Sequence, residues 1–232
     1  MNRVLSAARL HLVSGQAITV PWSIMGSALA INLVIFGTIQ AKAGVQDNPS
    51  SGGLASLYAV VLTVFVQAMN KPLQFALGLS LTRRTYLLGS AVFATALSFG
   101  SALVLYALYG IERATDGWGV DLSFFGAWGL GEGNPVVAVL GYAAPMMALI
   151  ALGSLLGGLF ARWGMIGVYV TTIALLVVAG AFAVIMTYAE AWTSFGHWFA
   201  DQPTAALYAG YPWIITALFA GGTYLVVRRV AA

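Results

Sequence analysis

Cysteine is absent from the 232-residue chain, which excludes disulfides, thiolate metal sites and cysteine nucleophiles. Charge is scarce as well: Asp, Glu, Lys and Arg make up 7% of the residues, against about 25% in an ordinary globular domain. A soluble fold of this composition would lack the polar surface to cover itself. Hydrophobic residues reach 60% and the mean hydropathy is +0.90, so the chain reads as an integral membrane protein. Ten cations against seven acids give a net charge of +3, too sparse for a surface that tracks nucleic-acid phosphates.

Catalytic signatures are missing too. There is no Walker A loop, no His-Glu-x-x-His zinc motif and no Gly-x-Ser-x-Gly elbow. No pair of carboxylates lies inside an apolar stretch to relay protons. His11 falls in the N-terminal segment and His197 in an outside loop, each alone, and Ser154 has no base at its depth. Neither an enzyme nor a metal site is expected. Energy for active transport would have to come from a partner or an ion gradient.

What is present is a series of apolar runs. A helix needs about 20 apolar residues to cross hydrocarbon, and six stretches qualify: 18–40, 54–79, 86–110, 135–161, 164–188 and 207–227. The expected fold is all-α: a single transmembrane domain over 1–232 with six membrane-spanning helices. Asn70-Lys71-Pro72 interrupts the second run, Pro145 is expected to kink the fourth, and Arg162-Trp163-Gly164 separates the fourth and fifth as a tight hairpin. With the N-terminus inside, eight cations (Arg3, Arg9, Lys71, Arg83, Arg84, Arg162, Arg228, Arg229) face the cytoplasm and two (Lys42, Arg113) face out. That asymmetry places both termini inside. All seven acids, Asp47, Glu112, Asp116, Asp121, Glu132, Glu190 and Asp201, fall outside.

Ala41-Lys42-Ala43 reads like a signal-peptide cleavage site. The apolar core before it exceeds the usual 7–15 residues, which favours a retained span. Residues 1–16 suit an amphipathic helix lying in the inner interface, with Val4, Leu5, Ala8 and Leu12 on one stripe.

Two segments stand out. Between the second and third spans, Pro72 is placed to start a short helix to about Leu81, ending at the pair Arg83-Arg84, with Thr82 or Thr85 able to cap the third span. It is either an ordinary positive-inside loop or, because Phe75, Leu77 and Leu79 are apolar beside two arginines, a docking surface. In the fourth span, Gly153 and Gly157 form a small-xxx-small ridge for close helix packing, and Arg162 snorkels beside Trp163.

At these segments a resemblance becomes visible. The stretch from Phe75 to Gly89, FALGLSLTRRTYLLG, resembles the cytoplasmic turn of small type-2 ATP-binding-cassette (ABC) exporter permeases. The stretch from Leu156 to Gly164, LGGLFARWG, is similar to the end of the fourth helix in the same proteins. The resemblance implies a dimerising permease in a bacterial cell membrane, paired with a separate cytoplasmic ATPase that carries ATP and magnesium. It implies contact with that ATPase through the interfacial helix and through Phe75, Leu77, Gly78, Leu79, Thr82, Arg83 and Arg84. This chain itself would hold no cofactor.

Within the membrane, Asn32, Gln67 and Asn70 are the polar groups placed to line a path, with interhelical hydrogen bonding as their simpler role. Residues 189–206 place Trp192, Phe195 and Phe199 at helical spacing. That segment is either an interfacial aromatic belt or the short extracellular helices of the family. Residues 111–134 are rich in Gly and aromatics and are expected as a lid or a lipid-facing hairpin. Two rival functions stay open: a substrate-capture subunit of an energy-coupling vitamin transporter, and a membrane assembly protein with no transport cycle.

Overall fold

A chain this apolar can satisfy its backbone N–H and C=O groups in hydrocarbon only inside helices or a closed barrel. It takes the first route. In a computed structural model, which describes residues 3–11, 15–43 and 50–228, 85% of the described residues are helical. Among the described residues there is no strand, and Ser50 and Ser123 form an isolated parallel bridge. Leu12, Asp47 and Arg229, invoked above, lie outside the described residues.

The α-helices are α1 (Arg3–Leu10), α2 (Gln16–Ala43), α3 (Leu54–Ala68), α4 (Lys71–Gly78), α5 (Arg83–Ala114), α6 (Pro135–Tyr188), α7 (Trp192–Ala200) and α8 (Tyr211–Val227). Among the described residues five stretches are long and apolar enough to cross a membrane: Gln16–Lys42, Leu54–Gly78, Arg83–Ala114, Pro135–Tyr188 and Ala206–Val227. The count differs from the expected six because residues 135–161 and 164–188 run together in α6, which has 54 residues. At 1.5 Å per residue a straight α6 would be about 81 Å long, against about 30 Å of hydrocarbon. Gly164 breaks it, with φ 62° and ψ −152°, a backbone conformation open to glycine. A Cβ built on Gly167 would lie 3.1 Å from the carbonyl oxygen of Leu159, where a straight helix would separate them by about 12 Å. The chain doubles back at this point. Arg162 stacks its guanidinium 4.1 Å from the ring centroid of Trp163 beside the turn.

The main core lies between α3, α5 and the first arm of α6. Leu57, Val61 and Phe65 of α3 meet Phe93 and Leu105 of α5 and Tyr142, Met146 and Ile150 of α6. A second, smaller cluster joins Met69, Leu73 and Ala76 to Tyr86 and Val227. The arm of α6 after Gly164 is different, since nearly all of its residues are exposed, Ile166 at 73% and Leu176 at 67%. Among the described residues, Phe182 on this arm meets Trp192 and Phe195 of α7, and most of its other apolar side chains stay exposed.

The N-terminal segment packs on the rest of the protein. Helix α1 lies against α5, where a Cβ on Gly89 would come within 2.6 Å of Ala7 Cβ, so only glycine admits this approach. The inward stripe is Ala7, Ala8 and His11, while Leu5 is 50% exposed. Helix–helix packing at Gly89 holds Ala7 and Ala8 against α5 and turns His11 inward.

Candidate functional site

The segment between α3 and α5 is built from three local devices. Pro72 sits in the first turn of α4, where a missing N–H costs nothing. The helix then ends early, at Gly78 rather than near Leu81, in a Schellman closure. The Leu81 N–H donates to the Ala76 carbonyl at 3.1 Å and the Ser80 N–H to the Leu77 carbonyl at 3.1 Å. That closure needs a left-handed residue, and Ser80 takes it with φ 61°. Thr82 follows as the cap of α5, its Oγ1 accepting from the Thr85 N–H at 3.1 Å.

These devices give α4 two faces. Leu73 and Ala76 are fully buried in the smaller cluster, while Phe75 and Leu79 stand one turn apart on the other side, 61% and 55% exposed. Leu77 packs back against the buried cluster. Gly78 and Thr82 are exposed, as is Arg84, whereas Arg83 is half-buried. The Arg83 Nε is enclosed and has no hydrogen-bond partner.

The three polar residues expected within apolar spans part company. Asn32 donates to the Ala28 carbonyl at 2.8 Å and accepts from the Ser51 hydroxyl at 2.6 Å, so its amide ties α2 to the start of α3. Gln67 and Asn70 share a cavity of about 370 Å³ with His11, Gln16 and Pro72, and Asn32 does not reach it. Gly153 and Gly157 form the packing ridge expected of them. A Cβ on Gly153 would run into the Leu62 carbonyl, and one on Gly157 into the Val66 carbonyl and, at 2.9 Å, Met69 Cβ.

His11 is 9% exposed, bonded to the Ser90 hydroxyl at 2.9 Å and stacked on Phe93 with centroids 5.1 Å apart. Burial lowers its pKa from 6.5 to about 4, because the charged imidazolium is poorly solvated there. Its partner Ser90 lies 79 positions away, so no local signal in the sequence marks it.

Residues 115–134 follow α5 as a folded segment. They fold inward around Leu122, Phe124 and Phe125, all fully buried. The Glu112 carboxylate holds them. It accepts from Trp118 Nε1 at 3.2 Å and from the backbone N–H groups of Phe124, Phe125 and Gly126 at 3.0, 2.8 and 2.9 Å. Tyr142 completes the seat by donating to the Phe125 carbonyl at 2.8 Å. The one available signal was an acid at the end of an apolar run, followed by Gly and aromatics.

In the loop before α8, Trp192 and Phe195 lie on α7 and both contact Phe182 edge-on. Among the described residues no group of three His, Cys, Asp or Glu is placed to hold a metal ion. Compared with protein-family models, curated proteins and solved structures, the chain matches none.

Proposed function

We propose that this chain is the permease subunit of an ABC-type exporter, working as a dimer and driven by a separate cytoplasmic ATPase. In this reading the two arms of α6 count as separate spans, giving six with α2, α3, α5 and α8. Both termini are cytoplasmic, the membrane is a bacterial cell membrane, and α4 is the coupling helix. One observation carries the proposal: Phe75 and Leu79 project together from α4 while its opposite face is anchored in the protein. Two large apolar side chains held out on a rigid, arginine-flanked helix suit a buried contact with another protein. Gly78, Thr82 and Arg84 are exposed as well, and Leu77, turned inward, supports the helix rather than the contact.

The rival capture subunit would bind one vitamin tightly as a monomer. The assembly-protein rival would have no ATPase partner. Co-purification of the tagged, full-length chain with its untagged neighbours separates the three. The expected complex holds two permease copies and two ATPase subunits. Leu79→Asp should insert and fold but lose the ATPase, because an unpaired carboxylate buried at an interface costs several kcal/mol. ATPase retained at wild-type stoichiometry by both Leu79→Asp and the double variant Arg83→Glu/Arg84→Glu would overturn the assignment.

A further inference from the structure

Helices α5 and α8 both pack on the first arm of α6, and they touch each other through the stacked rings of Phe99 and Trp213, 6.2 Å apart. Away from that contact they part around a cavity of about 260 Å³, walled by Phe65, Leu87, Ala94, Met147, Ile150 and Ala220. Most of the hydroxyls that line it are already engaged. Ser90 is bonded to His11, and Thr216 and Thr223 donate to the carbonyls of Pro212 and Phe219 in their own helix. What remains is an apolar chamber. Leu88 and Tyr224 at its edge are 47% and 51% exposed, on a lateral surface that faces the bilayer in a membrane-spanning chain.

A second cavity, of about 470 Å³, adjoins the first and shares Arg84, Leu87 and Tyr224 with it. Its character is opposite. Arg83, Arg84 and Arg228 line it without any acid, together with Thr82 at the N-terminus of α5. Arg83 is half-buried beside it, and its enclosed Nε has no hydrogen-bond partner. Buried donors are normally satisfied, and guanidinium groups match phosphate oxygens in fork geometry.

We infer that the two cavities form one site for an anionic, phosphate-headed membrane lipid. The phosphate sits among Arg83, Arg84 and Arg228, and one acyl chain enters the chamber between α5 and α8. An apolar cavity of roughly 150 Å³ already takes up benzene, so the chamber has room for a stretch of chain. Basic pockets between membrane helices take anionic headgroups by the same electrostatics. The site shares Thr82, Arg83 and Arg84 with the turn assigned to coupling, yet lipid binding needs no ATPase partner. Arg228 and Ala220 lie outside the turn assigned to coupling, so the lipid site and the coupling turn can fail separately.

Native mass spectrometry of the full chain in mild detergent tests the inference, with phosphatidylglycerol, phosphatidylethanolamine and inorganic phosphate as probes. Phosphatidylglycerol should bind at least tenfold tighter than the zwitterionic lipid, and inorganic phosphate should compete only weakly. Arg228→Gln should weaken phosphatidylglycerol about tenfold. Ala220→Phe, from an exposed position, should plug the chamber and do the same while helicity by circular dichroism is unchanged. Ala91→Phe provides a second plug from the α5 side. Equal binding of the two lipids, full competition by inorganic phosphate, or undiminished phosphatidylglycerol binding in both folded plug variants would overturn it.

Discussion

The backbone N–H of Phe125 donates to Glu112 Oε2 at 2.8 Å, across 13 positions of sequence. With the donors from Trp118, Phe124 and Gly126 it makes the carboxylate the anchor of residues 118–126. Glu112→Gln replaces one acceptor oxygen by an amide NH₂ that faces donors. Hydrogen bonds to charged groups are worth about 1.5–3 kcal/mol each, so a loss of roughly 3 kcal/mol is expected. A lower melting temperature and faster proteolysis within 115–134 would show it, whereas an unchanged cleavage pattern would remove the anchor role.

Docking of α1 should depend on pH through His11. Its pKa is about 4 in the folded protein and about 6.5 when exposed, so the unfolded or detached form binds the proton more tightly. Stability from this group is therefore fully present above pH 6.5 and is lost as pH falls through 4. At about 1.4 kcal/mol per pH unit, the loss is on the order of 3 kcal/mol. An environment-sensitive probe on α1 should report release across that window, and His11→Gln should flatten the response.

Two glycines of α6 should respond in opposite ways to added bulk. Gly157 meets the Val66 carbonyl and Met69 Cβ, whereas a Cβ on Gly180 would find nothing within 4 Å. Gly157→Leu should separate α6 from α3 and destabilise by about 1–3 kcal/mol or more, while Gly180→Leu should be nearly neutral. Paired thermal melts in the same detergent decide it. Equal melting temperatures would contradict the packing ridge.

Single cysteines give a clean reading of topology, since the chain has no native cysteine. Asp121, Asp201 and Arg84 are exposed and Arg162 is half-buried. Cysteines at 121 and 201 should react with an impermeant thiol reagent in intact cells, and those at 84 and 162 only after lysis. The reverse pattern would invert the orientation.

Helical class, membrane character and the interruption near Asn70 were all legible in the sequence. Hydrocarbon leaves the backbone few choices, and composition with run length is enough to find them. The Gly153–Gly157 ridge and the Thr82 cap were legible for a related reason. Each is a local pattern of three or four residues on one helix, with its geometry fixed by the helix period.

The rest depended on partners far away in the chain, and only the tertiary structure decided it. His11 reads as an interfacial polar residue until Ser90 and Phe93 are brought to it by α1 docking at Gly89. Glu112 reads as one acid among seven until a loop supplies its four donors. Asn32, Gln67 and Asn70 look alike as polar residues in apolar runs, yet Ser51 engages the first while the other two share a cavity. Arg228 and Arg84 are 144 positions apart and line one basic cavity. Sequence thus marked which segments are apolar enough to cross hydrocarbon, because transfer from water acts on each segment independently. Which polar side chains meet inside depends on how the segments pack, and packing in lipid is set by close steric fit rather than by hydrophobicity.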